Sequence, residues 1–349
     1  MKKPRICFVA DHHCLKVVKQ AIVLKAMGYE VHCVTTKNRA PEAYNSVSVY
    51  NGIDQFRDTI KNLKFDIWQC NNEPAWPTYT VREIHPKAKI VFDYHDSNKW
   101  RMKATQNEIS GEKISWYNEE IAVMVADGII VPSMACKKEL QTRSKKPIIW
   151  LPPATPLTWY PTRAFGYFGG IVINGGMSMV KTYKDGHEDV DAWRNYTELV
   201  KYLVEKVEVY LYSPSWKADA SDPLHNHYYN LGAHLGKLNV MELLRRLGEH
   251  TWNVVGNWQE HPSHVWQYSM ANKFFEAIAS GIPSVSFGCP EMDKMIEKYD
   301  IGIVVEHPDE LLKRWDEHIE KRKNLYLCRR ELSMEKFIGR SIKLYEEVL

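Results

Sequence analysis

No apolar run in the 349 residues approaches the roughly 20 that a membrane-spanning helix needs, so a transmembrane segment is not expected. Met1-Lys2-Lys3-Pro4-Arg5 followed by Ile6–Ala10 opens like an export signal. Its apolar run breaks at Asp11-His12-His13, too short for an export core, and a cytoplasmic location is expected. Cysteine is sparse. The seven are odd in number, scattered and without a Cys-x-x-Cys pair, which sets aside a disulfide framework and predicts reduced thiols. The first strand-to-helix loop lacks Gly-x-Gly-x-x-Gly, which argues against a dinucleotide coenzyme. No excess of one charge stands out. With 46 basic and 43 acidic residues, the net +3 neither demands nor excludes a polyanionic partner. Internal repeats and low-complexity segments are missing too.

What is present is the composition of a soluble globular protein, 44% hydrophobic and 26% charged, with length for two domains that each bury a core. Arg5–Ala10 reads as a strand, Leu15–Met27 as a helix closed by Gly28, and Val31–Thr35 as a second strand. That order argues for a parallel sheet covered by helices. Ligands of such sheets lie beyond the carboxyl ends of the strands, where the first loop carries Asp11, His12 and His13. Paired histidines also fill polar loops without doing chemistry. Phe65–Cys70 and Ala88–Tyr94 read as further strands that deliver Asn71 to Trp76, and Asp93-Tyr94-His95-Asp96, to the same rim. His95 with Asp96 suits a general base, because a carboxylate fixes the imidazole tautomer and raises its basicity. The plainer alternative is a strand-end histidine bonded for structure. Ile114–Ala126 reads as an amphipathic helix and Gly128–Pro132 as a strand; Lys137, Lys138, Arg143, Lys145 and Lys146 form a basic cluster of the kind that is usually a solvated face. Prolines from Pro152 to Pro161 mark a stiff linker.

Beyond the linker, Gly169 to Met177 reads as a strand running into the pair Gly175-Gly176, which lets backbone N–H groups approach a diphosphate. Glycine pairs are common in turns, so this signal is weak by itself. Val207–Tyr212, Thr251–Val255 and Ile301–Glu306 read as strands, with helices at Val240–Arg246, from Pro308 to Lys321, and from Glu331 to Leu349. The chain is organised around Ser269–Phe287. Met270, Phe274, Ala277 and Ile278 recur at helical spacing, Ser269 is the expected N-cap, Gly281 the left-handed residue after the helix, and Pro283 blocks continuation before a short strand at Ser284–Phe287. Lys273 and Glu276, three apart, share a face near the positive helix end, a setting suited to a phosphate and a ribose. The bland alternative is a surface ion pair on an amphipathic helix.

Asn272-Lys273-Phe274-Phe275-Glu276-Ala277-Ile278-Ala279-Ser280-Gly281-Ile282-Pro283-Ser284-Val285 resembles the nucleotide-sugar segment of GT-B glycosyltransferases, of the glycosyl transferases group 1 or family 4-like superfamily. The resemblance implies an α/β fold of two Rossmann-like parallel-sheet domains facing across a cleft, with a C-terminal helix crossing back to the first. The expected domains are 1–155 with the helix at about 331–349, acceptor-side, and 165–330, nucleotide-sugar-binding. It implies that Glu276 holds the ribose and that the helix start, Lys273 and the Gly175-Gly176 turn face the diphosphate. A downstream cation joins them, chosen from Lys181, Lys184 and Arg194, with Arg194 preferred because it opens the helix running to Val204. It places Gly232 to Gly236 near the nucleobase. His95 and Asp96 fall where the family meets the transferred sugar, and His12 or His13 with Asp96 is a candidate inverting base. One departure matters: the glutamate that retaining members carry eight positions before the ribose-binding one is Tyr268 here.

The expected activity is a hexosyltransferase-type glycosyltransferase that uses a nucleotide diphosphate sugar, UDP-linked, with no cofactor and no metal. Asp189-Val190-Asp191 imitates the metal motif of the other large glycosyltransferase fold but sits in a polar loop, and neither His225-x-His227 nor His261-x-x-His264 has a zinc-site context. The resemblance leaves the acceptor open among a glycan, a lipid carrier, a small molecule and a modified nucleobase in DNA, and allows peripheral membrane contact through the basic cluster. The rivals are a nucleotide-sugar epimerase of the same fold and a non-catalytic sugar-binding or accessory protein.

Overall fold

Short runs of β-branched and aromatic residues, apolar on both sides, are what helix-covered parallel strands look like in sequence. The computed structural model of the chain assembles such runs into two sheets. It describes residues 3–11, 14–37, 40–71, 74–94, 110–162, 168–179, 181–182, 188–189, 194–214, 216, 221–258 and 264–349. One unit takes in the described residues up to Pro156 together with Met334–Leu349, and the other Leu157–Ser333.

The first unit holds β1 (Ile6–Ala10), β2 (Val31–Thr35), β3 (Ser46–Val49), β4 (Ile67–Asn71), β5 (Lys89–Asp93), β6 (Gly128–Val131) and β7 (Ile148–Trp150). They pair in the order β3-β2-β1-β4-β5-β6-β7, all parallel, so the chain reverses direction across the sheet between β1 and β4. Strand β3 was not expected from the sequence. It is an edge strand with no fully buried residue, so no apolar run announces it. In the second unit β8 (Ile171–Asn174), β11 (Val209–Tyr212), β12 (His234–Gly236), β13 (Trp252–Gly256), β14 (Ser284–Phe287) and β15 (Gly302–Val304) form the parallel order β12-β11-β8-β13-β14-β15. The pieces β9 (Lys181–Thr182) and β10 (Glu188–Asp189) make a separate antiparallel ribbon. Both units are therefore Rossmann-like α/β layers, the expected fold class. No helix among the described residues is long and apolar enough to cross a membrane.

Two expected helices are broken. The segment from Pro308 splits into Pro308–Lys313, a 3-10 turn at Trp315–Glu317, and His318–Cys328. The carbonyl of Trp315 accepts from the His318 N–H of the 3-10 turn and also from the indole N–H of buried Trp252 at 3.2 Å. The segment from Glu331 likewise divides into a 3-10 turn, Met334–Phe337 and Gly339–Val348, because the backbone at Ser333 is extended (φ −80°, ψ 161°) where the chain returns to the first unit. There the Met334 N–H meets the Thr155 carbonyl at 3.1 Å.

The last helix completes the first core. Leu344 and Val348 press on Gly128 of β6, where even a Cβ would lie 2.9 Å from Leu344. The Tyr345 hydroxyl donates to Gln69 Oε1 at 2.5 Å, Gln69 Nε2 to Gln20 Oε1 at 2.8 Å, and Gln20 Nε2 to Asp93 Oδ2 at 3.0 Å. Lys16 Nζ closes the chain on Asp93 Oδ1 at 2.5 Å, with both side chains fully buried. Breaking one half of a buried ion pair strands the other charge. Lys16→Met is expected to lower stability by about 3–5 kcal/mol in urea denaturation.

In the second unit His250 is fully buried against Tyr210, ring centroids 4.4 Å apart. Its Nδ1 donates to the Gly169 carbonyl at 3.1 Å, so Nε2 accepts from the Tyr212 hydroxyl at 3.0 Å. Burial, helped by the charges of Arg246 and Arg322, lowers its pKa to about 4. An unfolded imidazole protonates near pH 6.5, so between those values the unfolded chain binds more protons and stability falls as the pH falls. The stabilisation is whole above about pH 6.5, and about 3 kcal/mol of it is lost by pH 4. A His250→Gln variant should lack that part of the pH slope when unfolding is followed at several pH values.

Candidate functional site

The helix Asn272–Ser280 follows β13 and leads into β14 in the second sheet. Its N-cap is Ala271 rather than the expected Ser269, with no side-chain cap and no acidic residue in the first turn. The helix start thus keeps its positive end uncompensated by its own side chains. Gly281 ends it at φ 74°, ψ 26°, with the Ile282 N–H turned back to Ala277, the left-handed close that the sequence foretold. The amphipathic expectation fails. Every residue from Lys273 to Ser280 is buried, and at 9% and 4% exposure Lys273 and Glu276 are no surface pair. The reason is tertiary: the far face is covered by the Gly248 turn, close to the Ser280 carbonyl, and by Arg329, whose guanidinium donates to the Ala279 carbonyl at 3.3 Å.

Glu276 is oriented from β8. The Asn174 amide at the carboxyl end of that strand donates to Glu276 Oε2 at 2.9 Å, while its own Oδ1 is buried without a hydrogen bond. Gly175 follows at φ 110°, a conformation that L side chains avoid. At Gly176 a Cβ would stand 3.3 Å from the Arg194 guanidinium, so the missing side chain is what lets that cation lie on the turn.

Contrary to expectation, Arg194 does not open the helix that runs to Val204. It precedes Thr197–Val204, in a segment stitched across the strand ends. The Ser178 N–H donates to the Arg194 carbonyl at 3.0 Å, and Asn257 Nδ2 to the Asn195 carbonyl at 2.6 Å. The same segment brings Tyr196 to Lys273, whose Nζ donates to the Tyr196 hydroxyl at 2.5 Å. The ammonium also lies 4.8 Å from the Tyr196 ring centroid and 5.3 Å from that of Trp266. Among the described residues no carboxylate comes within ion-pair distance of Lys273. Burial lowers its pKa to about 8; Arg194 pushes the same way, against Cys289 and Glu276. Burial pushes the neighbouring Cys289 thiol up.

Gly175, Gly176, Arg194, Lys273 and Glu276 are therefore brought to the carboxyl ends of the second sheet. Sequence reasoning missed Asn174, Tyr196 and Trp266. Asn174 carried a signal as the last residue before the glycine pair, whereas Tyr196 and Trp266 read as ordinary aromatics. His12, His13, His95 and Asp96 lie outside the described residues. Tyr268 is described, half-buried, at the end of the short helix before Lys273. Lys181 is in the ribbon, Lys184 is outside the described residues, and His234 of the Gly232–Gly236 stretch pairs with Glu208 on the edge strand β12. Among the described residues no group of three His, Cys, Asp or Glu is set to hold a metal.

A cation nine-tenths buried beside a guanidinium, an uncapped helix start and a glycine turn forms a receptor for a doubly charged anion, with a fixed carboxylate beside it as a hydroxyl acceptor. Two all-parallel sheets, the second carrying such a site at its strand ends, are matched by solved structures along nearly the whole chain. Sucrose-phosphate synthase from Thermosynechococcus elongatus aligns over 99% of each chain with a TM-score of 0.72 at 14% identity. The chain has the GT-B fold. Two further GT-B neighbours are HepE of Anabaena in complex with UDP, covering 99% of this chain and 100% of its own (TM-score 0.68, 12% identity), and WaaG, a glycosyltransferase of lipopolysaccharide biosynthesis, covering 97% and 99% (TM-score 0.63, 12% identity). No family model and no curated protein sequence matches the chain. In this GT-B chain the bond from Asn174 to Glu276 is buried and charge-assisted. Asn174→Ala is expected to reduce stability by about 1.5–3 kcal/mol, measured by urea denaturation.

Proposed function

We propose that the protein is a glycosyltransferase that moves a sugar, of hexosyl type, from a nucleotide diphosphate sugar to an acceptor of undetermined class. The observation that carries this reading is the buried Lys273 ammonium, with no carboxylate at ion-pair distance among the described residues, beside Arg194 and the glycine turn, with Glu276 held one helical turn away. That set matches a diphosphate followed by a ribose. UDP is the preferred carrier, supported by the complex of the similar HepE with UDP. Leaving-group charge is then stabilised by Lys273, Arg194, the Gly175-Gly176 backbone and the helix start, without calling on a metal. His95 and Asp96, with His12 or His13, are assigned to the transferred sugar and acceptor by resemblance alone. Tyr268, in place of a second glutamate, leaves the stereochemical course unassigned. The acceptor side is given to the first unit and the cytoplasm to the protein; contact with a membrane surface through Lys137, Lys138, Arg143, Lys145 and Lys146 belongs to the same proposal.

The deciding experiment is a screen of nucleotide sugars with released nucleoside diphosphate as readout. Release that grows with an acceptor supports the reading; an isomerised sugar with no release indicates an epimerase, and no turnover across donors and acceptors indicates an accessory protein. Hydrogen bonds that a carboxylate accepts from ribose hydroxyls contribute about 1.5–3 kcal/mol, so Glu276→Ala should weaken UDP binding by at least about tenfold in calorimetry. An unchanged affinity in the folded variant removes Glu276 from the site.

A further inference from the structure

We infer that Tyr196 is the positioning residue for Lys273: its hydroxyl, referenced to the glycine turn, holds the ammonium where a diphosphate must meet it. This rests on the nucleotide-diphosphate reading of the site. A lysine on the first turn of a buried helix has four flexible bonds and a carboxylate three residues along, and without a restraint it would collapse onto Glu276. The ammonium instead donates to the Tyr196 hydroxyl at 2.5 Å and stands over the rings of Tyr196 and Trp266. Tyr196 is itself fixed. Its backbone N–H donates to the Tyr228 hydroxyl at 3.0 Å, and that hydroxyl donates to the Ser178 carbonyl at 2.8 Å, two residues beyond Gly176. Lys273 is thus tied to the turn through Tyr196, whose side chain meets the ammonium and whose backbone is held by Tyr228 and, through it, by Ser178. The phenol oxygen favours the protonated amine by accepting from it, while the ring faces add cation–π attraction that tolerates small movements. The other groups acting on the ammonium are Arg194, which repels it, and Glu276 and Cys289, which favour its charge.

The test separates the hydroxyl from the ring. UDP affinity is measured by calorimetry between about pH 6.5 and 9.5 for the native chain, Tyr196→Phe and Lys273→Arg, alongside the pH dependence of Lys273 labelling by an amine reagent without ligand. In the native chain affinity should fall as the pH rises through about 8, where Lys273 loses its proton. Tyr196→Phe should bind UDP about tenfold more weakly at the acid end, with both the affinity midpoint and the labelling midpoint moved to lower pH. Lys273→Arg should show no such step. A uniform loss of affinity with unmoved midpoints, or a Tyr196→Phe profile identical to the native one, overturns the positioning role. If the native chain binds no UDP, the nucleotide reading fails. The labelling midpoint then still decides the Tyr196–Lys273 coupling: a shift supports it and none overturns it.

Discussion

A protonated amine held almost entirely out of water, with no carboxylate at ion-pair distance among the described residues, is the constraint on which the second unit depends. Removing a charge from solvent costs several kcal/mol unless something of opposite sign or suitable polarity replaces the water. Around Lys273 the replacements are a phenol oxygen and two ring faces, and they compensate only in part, so its pKa falls toward 8. Next to it come the Arg194 guanidinium and an uncapped helix start, both of the same sign. Such a concentration of positive charge is stable because Glu276 and the surrounding backbone carry part of it.

The geometry is produced by one short segment outside the α-helices. From Arg194 to Tyr196 the backbone runs over the carboxyl ends of β8 and β13, fastened by Ser178 on one side and Asn257 on the other. Both side chains that matter leave from this bridge. Arg194 turns onto Gly176 and Tyr196 onto Lys273. A regular helix begun at Arg194 would have sent them to different faces, about 100° per residue apart around the axis.

The strands were legible because strands buried in a parallel sheet are short, largely apolar runs between turn residues; Val31–Thr35 and Ser284–Phe287 could be read to the residue. Ser46–Val49 could not, since an edge strand half open to solvent needs no such run. The close of the central helix at Gly281 was legible from glycine chemistry. Its start was not, because Ser269 offers a cap that the chain does not use. Lys273, Glu276 and the glycine pair were found through their family-like pattern. Tyr196 was out of reach for a physical reason: 77 residues separate it from Lys273, and nothing local in Asn195-Tyr196-Thr197 tells a structural tyrosine from one that meets a cation. Burial of the whole Lys273–Ser280 stretch was equally unreadable, since it is conferred by Arg329 and the Gly248 turn rather than by the helix itself.

The Tyr345 hydroxyl reaches Gln69 in the interior of the first unit from a helix that follows the whole Leu157–Ser333 unit in sequence. During synthesis the first sheet therefore waits, its buried Lys16–Asp93–Gln20–Gln69 relay lacking its last member, until the whole Leu157–Ser333 unit has been made. The intervening Leu157–Ser333 unit has no such debt to the carboxyl terminus and is complete in sequence earlier. The order in which the two sheets emerge from the ribosome and the order in which they can be completed are thus reversed.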